Sequence, residues 1–237
     1  MTREVLQAKR ANLGLQSYFG RVYNYMAGGL LLSGLMAWLS VHAPLINLFY
    51  RVSDDGMVSM TVLGWIAIFA PIVVVFLIGK ATAKLNVQQA QLWFWFFSAL
   101  MGVSLGNIFF LYSGAAIFQA FIVTSGMFFA LSLIGAKTER DLTGFGRFLL
   151  MGLVGVVLAS LVNIFVGSGL LNFVLNVLAV IVFVGLTVYD TNRLKALYDA
   201  TDSEEIVQAK AIHGALALYL DFINLFRLVL YFLNDRR

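Results

Sequence analysis

From Leu85 to Ala136 the chain carries no charged residue. At about 1.5 Å of rise per residue, a helix of that length would be far longer than the roughly 30 Å core of a bilayer is thick. The run therefore has to hold two membrane spans, and Ser113-Gly114 is where the sequence offers the break. The same argument applies to Phe148 to Tyr189, also uncharged, which needs a turn at Gly167-Ser168-Gly169. Uncharged runs at Val22 to Tyr50 and 56–79 add one span each, the first ending near Pro44 and the second closed by Lys80 and Lys84. A seventh span is expected at Gly214 to Phe232, on a helix that starts near Thr201 or Ser203. Thr201 and Glu204 have the spacing of a capping box there. With 61% hydrophobic and only 12% charged residues, the chain reads as an all-α polytopic membrane protein.

The basic residues set an expected orientation. Lys and Arg number 4, 2, 3 and 3 in the N-terminal tail and the second, fourth and sixth loops, against Arg51, Arg236 and Arg237 on the other side. Basic loops stay in the cytoplasm, so the N-terminus is expected inside and the C-terminus outside. Residues 1–21 then form a cytoplasmic tail and 22–237 a seven-span transmembrane domain, with a re-entrant last helix as the alternative. The net charge of +4 resides in short loops beside apolar spans, where it serves anchoring to the lipid bilayer and topology rather than nucleic-acid binding. The absence of cysteine removes disulfides, thiolate metal sites and cysteine nucleophiles.

The last span holds the chemistry. Asp221 lies near its middle, where a lipid-facing carboxylate costs roughly 2.5–3.5 kcal/mol, so it must face protein or water. At about 100° per residue His213, Asn224 and Arg227 fall on the same side as Asp221, giving one polar stripe on an otherwise apolar helix. The other acid within reach of the membrane is Asp190, in VYDTNRLK, on a helix that continues if Arg193 and Lys195 extend toward the headgroups. Should Asp190 and Asp221 meet, they cannot both ionise cheaply; one shared proton makes them a pair that titrates as a unit. The competing reading has Asp190 pairing with Arg193 and Asp221 hydrogen-bonding alone. His42 and His213 are the only histidines, and no acid cluster has calcium-loop spacing, so a cation would pass through or bind weakly, with any contact at Asp190 and Asp221 transient. No phosphate loop, nucleophile elbow or cofactor motif is present, and residues 214–232 have no lysine for retinal.

Three strings, SGMFFALSLIGAKTERDLTGFG at 125–146, VYDTNRLK at 188–195 and ALYLDFINLF at 217–226, resemble the bacterial branch of the transmembrane Bax inhibitor motif family. The resemblance covers the whole chain. It implies two three-helix layers around a central C-terminal helix, and a pH-sensitive calcium leak gated by an aspartate pair whose motifs match Asp190 and Asp221. It also implies, for one bacterial subgroup, modulation of a membrane-anchored, ATP-dependent protease, for which residues 1–21 are a natural contact. Some relatives carry an acid in the second span, whereas 56–79 has none. An intramembrane aspartyl protease is similar in placing Tyr-Asp on one helix and Asp on the next. Asp221 follows Tyr219-Leu220 rather than Gly-x-Gly, however, and the only prolines are Pro44 and Pro71, so the expectation is a protein that is not an enzyme.

Overall fold

The structure, a computed structural model, describes residues 3–53 and 58–234. Asp54 and Asp55 of the first loop and the terminal Asp235, Arg236 and Arg237 lie outside the described residues. Long helices dominate: α1 (Arg3–Ser40), α3 (Val62–Ala83), α4 (Val87–Leu105), α6 (Gly114–Lys137), α7 (Thr143–Val166), α8 (Gly169–Leu197) and α9 (Glu204–Asn234). Short helices α2 (Ile46–Phe49) and α5 (Ile108–Leu111) and one antiparallel hairpin, β1 (Tyr50–Val52) with β2 (Val58–Met60), fill the connections. Seven of the helical stretches are long and apolar enough to cross a membrane. The chain is an all-α, multi-pass membrane protein.

The breaks fall where small and polar residues end the helices. Tyr112 and Ser113 separate α5 from α6, and Gly167, at φ +68, ends α7 in the left-handed conformation that favours glycine. The next helix is opened by Ser168, whose Oγ accepts from the Leu171 amide at 3.2 Å. Thr61 and Asn86 cap α3 and α4 in the same way, at 3.1 and 3.0 Å.

Two boundaries depart from the sequence reading. The first helix starts at Arg3 and runs unbroken into the span read from residue 22. Nothing between residues 3 and 21 breaks a helix, and the charge on Arg21 is met by Glu204 rather than by water alone. At the start of α9 the Thr201–Glu204 capping box does not form. Thr201 donates its amide and its hydroxyl to Asp199 at 2.8 and 2.7 Å, Glu204 is engaged with Arg21, and the cap falls to Ser203, whose Oγ lies 3.5 Å from the Ile206 amide. Asp141 and Thr143 repeat the Asp-x-Thr tie before α7, at 2.8 and 2.6 Å.

These Asp-x-Thr ties predict an acid response. The Thr201 amide, then its hydroxyl, holds the Asp199 carboxyl below the usual carboxylate range. A carboxyl lowered by folding contributes while pH stays above its unfolded value of about 3.9 and ceases to contribute as pH falls through the folded value. Hydrogen-exchange protection at the Thr201 amide is therefore expected to hold near neutrality and to drop in strong acid. In Asp199→Asn, whose amide oxygen still accepts, the acid drop should disappear. The same drop in that variant would assign it to something else.

Contacts divide the chain into two compact units. One, Met1–Gly114 with Tyr198–Tyr219, contains α1, α3, α4 and the first part of α9. In it Gly102 rests against the Ser33 backbone, and a Cβ there would sit 2.7 Å from that of Met36; Gly106 similarly faces Ser40 and Tyr50. Gly102 thus marks a close approach of α4 to α1. Ser33 Oγ is a local hub, 2.6 Å from Tyr219 Oη, 2.7 Å from the Ser98 carbonyl and 2.9 Å from the Gly29 carbonyl. Phe94 and Phe97 meet the Tyr219 ring edge-on.

The other unit, Ala115–Leu197 with Leu220–Arg237, contains α6, α7, α8 and the rest of α9. Leu149, Val182 and Leu186 form the buried α7–α8 contact. Gly135 allows α6 to approach α8, since a Cβ there would stand 2.5 Å from the Val188 carbonyl oxygen and 2.9 Å from Thr191 Cβ. Each unit thus holds three spans and its own stretch of α9, which is the most buried of the seven.

Candidate functional site

Asp190 sits on α8, which continues past it to Leu197 as the sequence suggests. Asp221 sits on the stretch of α9 in the same unit, only 4% exposed. The two carboxyl groups meet within hydrogen-bonding reach of one another. Arg193, one turn beyond Asp190, places its charge near that carboxyl without closing an ion pair among the described residues. Asp190 thus has both Arg193 and Asp221 beside it.

The surroundings are largely apolar. Phe222, next to Asp221, packs edge-on against Phe121 and Phe128 of α6 at 5.8 and 5.6 Å. Thr191 donates to the Thr187 carbonyl at 2.8 Å and lies 3.5 Å from Ser132 Oγ, so the threonine hydroxyl next to Asp190 is already committed. One oxygen of Asp221, Oδ2, is buried with no hydrogen-bond partner among the described residues. A buried acceptor left unmet is expensive, and a charged one more so. Two carboxylates cannot hydrogen-bond each other, since neither has a donor; one carboxylic acid and one carboxylate can. A hydrogen bond between Asp190 and Asp221 therefore requires one of the two to carry a proton.

The polar stripe divides. His213 and Arg227 are exposed and Asn224 is half-buried, while Asp221 is buried at the edge of that face. Asn224 donates its amide at 2.8 Å to the Leu220 carbonyl of its own helix. The structure brings Asp221 to Asp190 and leaves His213, Asn224 and Arg227 on the accessible side of α9. Periodicity places these residues on one face but does not say which of them are covered.

One positioning residue is not apparent from the sequence. Asn192 donates to the Thr138 and Gly135 carbonyls at 2.8 and 3.3 Å, capping the end of α6 from α8 two residues after Asp190. Its only sequence signal is an amide beside a carboxylate near the end of a long apolar helix, a pattern too common at membrane boundaries to single it out.

The same geometry is set in a chain with many relatives. The family described as inhibitor of apoptosis-promoting Bax1 matches residues 15–237. Inner membrane protein YbhL of Escherichia coli strain K12 is 39% identical over 226 residues, 94% of this chain and 94% of its own. An uncharacterized protein of Rickettsia prowazekii is 39% identical over 225 residues, covering 94% and 92% of the two chains. An uncharacterized membrane protein of Streptococcus pyogenes is 35% identical over 217 residues, covering 92% of each.

Proposed function

This chain belongs to the Bax inhibitor family of multi-pass membrane proteins, and from that premise we propose that it is a pH-sensitive calcium leak gated by Asp190 and Asp221. The observation that carries the proposal is the meeting of two carboxyl groups, from α8 and α9, at a buried point of a membrane unit. With one proton between them they hold the two helices together. Losing that proton leaves two like charges in a low-dielectric site, which disfavours the contact and creates a negative locus for a cation. Acid then closes and alkali opens, because the closed arrangement binds one proton more than the open one. The test is calcium flux into proteoliposomes across a pH series. A leak that rises from mildly acidic to mildly alkaline pH supports the proposal, and a flux indistinguishable from protein-free vesicles at every pH rejects it.

The site is proposed to lie in the bacterial inner membrane, in keeping with the inner-membrane name of the Escherichia coli relative. The N-terminus is proposed to be cytoplasmic and the C-terminus outside, on the bias of basic residues. A reporter fused after Arg237 should be active only in its exported form. Cytoplasmic activity would favour a re-entrant α9 with both termini inside.

A second reading, regulation of an ATP-dependent membrane protease, draws on the basic residues of the 1–21 stretch as a natural contact. Deleting residues 1–21 should abolish that regulation and leave ion flux unchanged.

A further inference from the structure

In the first unit a cavity of about 450 Å³ is lined by Arg21, Asn24, Tyr25, Trp95, Glu204 and Gln208. This volume lies within the range of small-molecule pockets. From its geometry we infer that the cavity binds the headgroup of an ethanolamine phospholipid, with Arg21 holding the phosphate and Glu204 the ammonium.

Charge narrows the ligand first. The cavity has one cation and one anion, Arg21 and Glu204, paired with each other. An anionic ligand would meet Glu204 and a cationic ligand would meet Arg21, so the complementary ligand carries both charges on one short frame. The pair is also easily opened, since the side chains are 34% and 69% exposed and an exposed ion pair contributes only about 0–1 kcal/mol. Exchanging it for two ligand contacts costs little. The planar guanidinium suits a phosphate, to which it can donate two parallel hydrogen bonds.

The polar lining favours a primary ammonium over a methylated one. Tyr25 Oη accepts from the side-chain amides of Gln91 and Gln208, the latter at 3.3 Å, which leaves its own proton for a further acceptor such as phosphate oxygen. The Asn24 and Gln208 carbonyl oxygens, together with the Glu204 carboxylate, can accept from an ammonium with three N–H groups but not from choline, which has none.

Position selects a lipid over a soluble ligand. Glu204 opens its span, and the same end of this unit carries Lys80 and Lys84, where α3 finishes and α4 begins. Trp95 lines the cavity, and Leu92 and Phe96 beside it on α4 are 63% and 48% exposed. An aromatic residue at a polar cavity with apolar neighbours facing outward is the arrangement found at headgroup level, with acyl chains running along α4.

The test uses the purified full-length protein in detergent micelles and follows its thermal midpoint while lipid is added. Dioleoyl phosphatidylethanolamine should raise the midpoint saturably. Phosphatidylcholine and phosphatidylglycerol with the same chains should need about tenfold more for the same shift, and so should phosphatidylethanolamine with Arg21→Gln or Glu204→Gln. Phosphatidylcholine acting equally with phosphatidylethanolamine overturns the proposal, as do variants that respond like wild type. Soluble glycerophosphoethanolamine matching the lipid at equal concentration overturns the lipid assignment. The headgroup comparison uses the wild-type chain alone, so it decides the matter even where a variant folds poorly.

Discussion

Asn in place of either Asp190 or Asp221 is expected to remove most of the pH dependence of calcium flux through the reconstituted protein. Asp190 and Asp221 meet within hydrogen-bonding reach in a buried setting, with Asp221 Oδ2 unpartnered among the described residues. Two unit charges about 4 Å apart repel by about 4 kcal/mol at an effective dielectric near 20, which corresponds to roughly a thousandfold in an equilibrium constant. Such a difference is enough to convert a mostly closed population into a mostly open one. Asn keeps the size and one acceptor but can never become the second charge, so the alkaline opening has no source. Flux should be compared for wild type, Asp190→Asn, Asp221→Asn and the double variant between mildly acidic and mildly alkaline pH. The double variant should resemble the single ones, because either change removes the same repulsion. If both single variants retain the wild-type profile, the pair is not the sensor, and His213 or a regulatory role becomes the better account.

Gly135→Ala is expected to destabilise the second unit and disturb the same response, although the substitution adds a single methyl group. The added Cβ would lie 2.5 Å from the Val188 carbonyl oxygen and 2.9 Å from Thr191 Cβ, positions on α8 that flank Asp190. Neither neighbour is the free end of a flexible side chain, so α6 or α8 has to move as a body. Overpacking of this kind costs about 1–3 kcal/mol. The control lies on the same helix: nothing is within 4 Å of a Cβ at Gly126, so Gly126→Ala should be neutral or stabilising by up to about 1 kcal/mol. Thermal unfolding of the two variants in one detergent makes the comparison. Equal midpoints would mean that α6 and α8 accommodate the methyl group freely.

Much of this architecture is legible in the sequence because a bilayer imposes a length. Uncharged runs too long for one crossing must break, and they do break at Ser113 and at Gly167. The beginning of α1 is less legible, because counting charges treats Arg21 as a boundary, whereas an arginine with an acidic partner can sit inside a helix. The cap of α9 is hard to read for a local reason: Asp199 competes for the Thr201 hydroxyl that a capping box requires. At the site, helical periodicity identifies the face carrying Asp221 but not its covered edge, and no spacing rule says that residues 190 and 221 meet. That juxtaposition is implied by family resemblance and follows, in the structure, from how α8 and α9 pack.

The Ser33 hub fixes the direction of a bond and so makes two substitutions unequal. Ser33 has one proton, and the Ser98 and Gly29 carbonyls can only accept it, so Tyr219 must be the donor to Ser33. Tyr219→Phe leaves Ser33 still donating to a carbonyl, whereas Ser33→Ala strands the proton of a tyrosine that is fully buried. Mutational history at these positions therefore has an easy order, Phe at 219 first and Ala at 33 second, while the reverse order passes through a poorly folded intermediate. The two sites are energetically coupled, and the coupling makes the cost of the intermediate depend on which substitution comes first.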